Sequence, residues 1–160
     1  MVHCLKSLSD AIEAVQIRAT KQVEGFQHLS YEERLTKLRL PTLIYRRRRG
    51  AMIEIWKHFN SYDKDSISPR FQLAPRAGLS RQHPLQLLVH KPRDGCLGVQ
   101  ANSLYFLGVS AWNKLPKEIV EAKTINSFKN RLDNHWRTHM YDPENPPSFD
   151  FSELSRETGR

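Results

Sequence analysis

The chain has 160 residues, 39% hydrophobic and 26% charged, enough for one domain with a modest core and long polar connections. The formal net charge is +8, unevenly spread: residues 141–160 hold five acids and two bases, so the preceding 140 residues carry +11. A folded part that basic points to phosphate, an acidic protein or an anionic membrane, against the plainer reading of a cationic solvated surface. No apolar run reaches the roughly 18 residues that span a bilayer, and Met1 to Lys6 lacks the apolar core of a signal peptide. An intracellular protein, nuclear or cytoplasmic and not secreted, with no membrane role, is expected. Cys4 and Cys96 are far apart and have no Cys or His neighbour at metal-ligand spacing. They suit a reducing compartment, with a single disulfide left open.

In chain order, Ser9 is a good N-cap, with Asp10 and Glu13 behind it, and Leu8, Ile12, Val15 and Ala19 make one apolar stripe at helical spacing. Gly25 closes this first helix. Ser30 to Glu33 reads as a capping box and starts a short helix through Leu35 and Leu38, stopped by Pro41. Thr42 can then cap the longest helix, to about Asn60. The spacing places Leu43, Ile44, Arg47, Arg48, Ala51, Met52, Ile55, Trp56 and Phe59 along one side of it. The two arginines interrupting that stripe must snorkel, pair with a buried acid or reach a ligand.

Residues 61–81 read as a loop with Pro69, Pro75 and Gly78, Leu85 to Val89 as a short extended segment, and Asp94 to Gly98 as a turn. An apolar stretch runs from Leu104 to Leu115. Pro116 suits the first turn of a short helix holding Ile119 and Val120. Thr124 caps a last helix whose Ile125, Phe128, Leu132 and Trp136 form a clean stripe. The fold expected is mainly α: about five helices with long loops and at most a short strand or hairpin near 85–106. A single helical domain over 1–140 precedes a disordered acidic tail over 141–160.

Catalytic chemistry has little to stand on. His135 and His139 lie four apart, as some zinc ligands do, but no Glu lies between them and no third ligand is evident; capping a helix end accounts for them better. Asp63 and Asp65 offer too few oxygens for a hard cation and read as a solvated loop. No Gly-rich phosphate loop and no specified nucleophile occur. No catalytic residue, metal or cofactor is therefore assigned.

The charge has a clear centre. Between positions 17 and 49 stand nine bases, Arg18, Lys21, Arg34, Lys37, Arg39, Arg46, Arg47, Arg48 and Arg49, against three acids, a local net of +6. Four consecutive arginines spread over about 300° of a helix at about 100° per residue, so no flat surface engages all four equally. Two can grip phosphates while two support packing. A nuclear import signal or a solvated face are the other readings; backbone contact with RNA or DNA is favoured.

Three blocks in the first half carry a resemblance: Val15-Gln-Ile-Arg-Ala-Thr-Lys21, Leu29-Ser-Tyr-Glu-Glu-Arg-Leu35, and Leu40-Pro-Thr-Leu-Ile-Tyr-Arg-Arg-Arg-Arg-Gly50 with Met52-Ile-Glu-Ile-Trp-Lys57. Ser110-Ala-Trp-Asn-Lys-Leu-Pro116, Ile119-Val-Glu-Ala122 and Ile125 to Trp136 continue in order. Over residues 12–142 the chain resembles the C-terminal end of non-LTR (LINE-type, jockey-like) retrotransposon reverse transcriptases, RNA-directed DNA polymerases. The resemblance implies a segment downstream of the polymerase palm, in the thumb and beyond, that helps hold template and primer. The palm's metal-binding Tyr/Phe-x-Asp-Asp motif and the endonuclease domain have no counterpart in the sequence, so a non-catalytic fragment is expected. The chain departs from the family pattern at Ala51, where Asp is frequent, and over residues 94–110, which lack Lys and Arg. Weakly sequence-specific RNA or DNA backbone binding is the leading expectation. A helical protein-interaction module, docking a partner or self-associating through apolar helix faces, and a non-functional retroelement relic are the alternatives.

Overall fold

The computed structural model describes residues 2–60, 71–75, 83–89 and 104–147, with side chains from residue 10 in the first stretch and from residue 108 in the last. Most of the loop expected at 61–81, the turn at 94–98, Asp63, Asp65, Cys96, the Cys4 side chain and tail residues 148–160 lie outside these. The elements are α1 (Val2–Lys21), α2 (Tyr31–Leu38), α3 (Leu43–Asn60), α4 (Leu104–Asn113), α5 (Lys117–Val120) and α6 (Ile125–His135), followed by a 3-10 turn at Arg137–His139. The chain is mainly helical, and the one extended pairing among the described residues is an isolated antiparallel bridge between Leu73 and Leu87.

The chain divides into two compact units. Unit 1 comprises Met1–Arg49 and His135–Pro147, and unit 2 is built on Gly50–Asn134.

In unit 1, α1 is already helical at Val2, seven residues before the cap expected at Ser9. Its apolar stripe is on the outside: Ile12 is 39% exposed and Val15 57%. The face turned inward is polar, with Glu13 and Thr20 buried. α2 begins with the capping box expected: Glu33 N donates to Ser30 Oγ (3.2 Å) and Ser30 N donates to Glu33 Oε2 (2.7 Å). It ends in a Schellman turn, Leu40 N donating to Leu35 O and Arg39 N to Thr36 O, with Arg39 left-handed at φ 52°. Thr42 caps α3 by accepting from Tyr45 N at 3.1 Å. Tyr45 and Trp136 meet edge to face at 6.3 Å and are buried, as is Leu35. Residues 141–147, expected in a disordered tail, are held here. Asp142 Oδ1 accepts from the amides of Glu144 and Asn145, Met140 O accepts from Thr42 N, and Pro147 O accepts from Arg48 Nη1.

Unit 2 is an aromatic core. Phe59 lies against Trp112 (6.0 Å), Trp112 against Phe128 (6.0 Å) and Phe128 against Trp56 (5.8 Å). Met52, Ile55, Val109, Leu115, Ile119, Val120 and Leu132 complete it. α3 and α4 approach closely at Gly108, where a Cβ would stand 2.7 Å from Ile55 Cδ1. Thr124 caps α6 as expected, accepting from Ser127 N at 3.1 Å. The extended segment at 83–89 is stitched to the end of α4. Trp112 Nε1 donates to Leu85 O (2.8 Å), and Asn113 pairs with both backbone groups of Leu87.

Candidate nucleic-acid interface

All nine bases singled out in the sequence fall in unit 1, but local structure sorts them into different jobs. Helix α3 sets the first division. Its buried arc holds Tyr45, Ala51, Met52, Ile53, Ile55 and Trp56. At about 100° per residue this arc is centred opposite the midpoint between Arg46 and Arg47. Both of those arginines are exposed, as are Glu54 and Lys57 further along the same side. The sequence placed Arg47 on the apolar side with Leu43 and Ile44. That placement is corrected here: Leu43 and Ile44 are only half-buried, and Tyr45 anchors the helix instead, its ring edge-on to Trp136.

Arg48 is turned inward. It is half-buried and donates to the carbonyl of Pro147. Burial, with the neighbouring Arg47 charge adding to it, pulls its guanidinium pKa down to about 10. Arg49 is half-buried as well. The tetrad therefore divides two and two, Arg46 and Arg47 outward, Arg48 and Arg49 toward packing.

Arg34 does not belong on a phosphate-facing surface. It is 5% exposed, and its guanidinium donates to Leu29 O (2.6 Å), Thr20 Oγ1 (3.3 Å) and Ile17 O (3.5 Å). Those acceptors lie on α1 and on the α1–α2 connection, so Arg34 ties α2 to α1. Placing it among the phosphate contacts is corrected for that reason.

The remaining bases are exposed: Arg18, Lys21, Lys37 and Arg39. Arg18 Nε donates to Ala14 O at 3.4 Å, and the Lys37 ammonium stands 5.8 Å from the Phe26 ring centroid. Arg39 stands where a left-handed cap ordinarily takes glycine.

The sequence did not reveal what holds this surface in place. Glu13, 5% exposed, accepts from Tyr31 OH at 2.5 Å and from Leu43 N at 3.0 Å. Its carboxylate thus sits at the N-terminus of α3, where amide and helix dipole favour an anion. Gln16 Nε2 donates to Tyr31 OH (3.1 Å) and Pro41 O (3.2 Å). Burial, and then the Glu13 carboxylate, push the Tyr31 hydroxyl pKa well above its ordinary range. The available signal was the polar spacing Glu13, Gln16, Thr20, which equally describes a solvated face.

The histidine pair offers no ligand cluster. His135 is exposed at the end of α6, and His139 Nδ1 lies 2.7 Å from Asn145 O. Among the described residues no group of three or more His, Cys, Asp or Glu side chains could hold a metal ion, and no helix is long and apolar enough to cross a membrane.

No family model, curated protein or solved structure matches the chain.

Proposed function

We propose that this chain is a non-catalytic nucleic-acid-binding piece, akin to the C-terminal region of a non-LTR retrotransposon reverse transcriptase, that grips the RNA or DNA backbone through unit 1. The observation that carries the reading is the outward pair Arg46 and Arg47, on the side of α3 opposite its buried arc. Exposed Arg18, Lys21, Lys37 and Arg39 add charge in the same unit. An arginine kept at a left-handed cap, where it costs backbone strain, supports a role for its side chain.

Contacts of this kind neutralise phosphates and release counterions, so binding is weakly sequence-specific and falls steeply with salt. Fluorescence-anisotropy titration with a structured RNA and with a DNA duplex, at low and physiological salt, tests this. Tight binding at low salt that weakens by orders of magnitude is expected. A folded protein that binds neither nucleic acid at either salt overturns the reading.

A further inference from the structure

The stretch Tyr141–Pro147 reaches from the cap of α3 to its second turn. At one end Thr42 N donates to Met140 O at 3.1 Å, and at the other Arg48 Nη1 donates to the carbonyl of buried Pro147. Between these ends the stretch folds back on itself. Asp142 Oδ1 accepts from Glu144 N (2.9 Å) and Asn145 N (3.0 Å), and His139 Nδ1 donates to Asn145 O at 2.7 Å. Its side chains include two acids, Asp142 and Glu144, and no base. Pro143, Pro146 and Pro147 have no N–H to bond with, so the stretch can lift from α3 without unmaking a helix.

We propose that Tyr141–Pro147 is an autoinhibitory strap: docked, it keeps Arg48 on the Pro147 carbonyl and away from nucleic acid; lifted, it releases Arg48 to join Arg46 and Arg47 on the phosphate backbone. The proposal rests on the nucleic-acid reading of unit 1 and adds its regulation. Strap and arginines both belong to that unit. Arg48 comes next after the outward pair, about 100° further round α3, a gap that a long arginine side chain can bridge. With its pKa at about 10 it is still a cation at neutral pH. The carbonyl that it holds is neutral, whereas a phosphate oxygen is charged and bonds a guanidinium roughly twice as strongly. An incoming phosphate therefore competes with the strap for one group. By linkage, the docked strap weakens phosphate binding at Arg48 by the same factor by which phosphate weakens docking. Asp142 and Glu144 act in the same direction, adding repulsion toward an approaching phosphate.

The experiment compares full-length chains by the slope of log binding constant against log salt for a DNA duplex, with circular dichroism to show the helices intact. Asp142→Ala removes the bonds that fold the strap and should steepen the slope by about 0.9, one added phosphate contact. His139→Ala loosens the same stretch through Asn145 and should steepen it too. The first variant removes an acid and the second a basic group, so a change in net charge does not account for both. Asp142→Ala/Arg48→Ala should return the slope to that of the wild type. Slopes unchanged in both single variants overturn the inference, as does a steeper slope that survives Arg48→Ala.

A readout without nucleic acid separates this inference from the reading it rests on. Hydrogen exchange of the Arg48 Nε–H, followed by NMR, should be slow in the wild type and at least tenfold faster in Asp142→Ala. Exchange that stays equally slow overturns the strap alone. Faster exchange in a protein that binds no DNA overturns the nucleic-acid reading, and the inhibitory role with it.

Discussion

The carboxylate of Glu13 accepts the phenolic hydrogen of Tyr31 at 2.5 Å while its oxygens also receive the amide of Leu43, so one acid joins α1, α2 and the start of α3. Tyr31→Phe leaves the buried Glu13 one donor short without changing shape. A loss of about 1–3 kcal/mol in urea unfolding is expected, the cost of a buried polar group losing a partner. Burial of Tyr31, and then this bond to Glu13, set an alkaline limit. Tyr31 holds its proton above the ordinary value near 10.0, so above that pH the unfolded chain ionises while the folded one does not. Stability from this group is complete below about pH 10 and is lost as pH rises further, and Tyr31→Phe should flatten that decline.

At the acid end, His83 of unit 2 is the most buried histidine among the described residues. It is 1% exposed, its Nε2 meets Trp112 O at 3.1 Å, and its buried Nδ1 has no partner among the described residues. Burial lowers its pKa below 6.5, against smaller opposing effects of the Trp112 carbonyl and Glu121. The unfolded chain therefore takes up this proton first, and stability falls as pH drops below about 6.5. His58, shifted the same way by burial, adds to the trend. The urea midpoint should decline from pH 7 to pH 5, and His83→Phe should reduce the slope. A midpoint flat over that interval would contradict the assignment.

Asn113 acts as a surrogate strand for Leu87, accepting from its amide at 2.8 Å and donating to its carbonyl at 2.9 Å. Asn113→Ala should cost about 1–3 kcal/mol and remove hydrogen-exchange protection from the Leu87 amide. Asn113→Asp can still accept from the Leu87 amide but sets a carboxylate oxygen against the Leu87 carbonyl, so it should cost at least as much as the alanine variant.

Arg39 trades stability for charge. Arg39→Gly should raise stability by about 1 kcal/mol, because glycine adopts the left-handed cap without a Cβ penalty. The same substitution should weaken RNA or DNA binding at low salt.

Local signals made the helix ends legible. The Ser30 capping box, the Thr42 and Thr124 caps and the stripe through Phe128, Leu132 and Trp136 could all be read because each rests on residues within a few positions of one another. Two things could not be read so. The start of α1 lies seven residues before its best cap, since Ser9 can continue a helix as well as begin one. The facing of α1 and α3 is set by partners 10 to 30 residues away or more: Tyr31 and Leu43 for Glu13, Trp136 for Tyr45. An apolar stripe therefore stands outside on α1, and Arg47 faces away from the stripe it was grouped with. Of the candidate interface, the concentration of bases was evident. The withdrawal of Arg34 and Arg48 into internal bonds depended on Leu29, Thr20 and Pro147 and was not.

The proposed function rests on Arg46 and Arg47 meeting phosphate. The most direct measurement is the slope of log binding constant against log salt for a DNA duplex, wild type against Arg46→Ala/Arg47→Ala, with unfolding curves to show both proteins folded. Each lost phosphate contact removes about 0.9 from the slope, so the double variant should be shallower by about 1.8. An unchanged slope from a folded double variant would contradict the account.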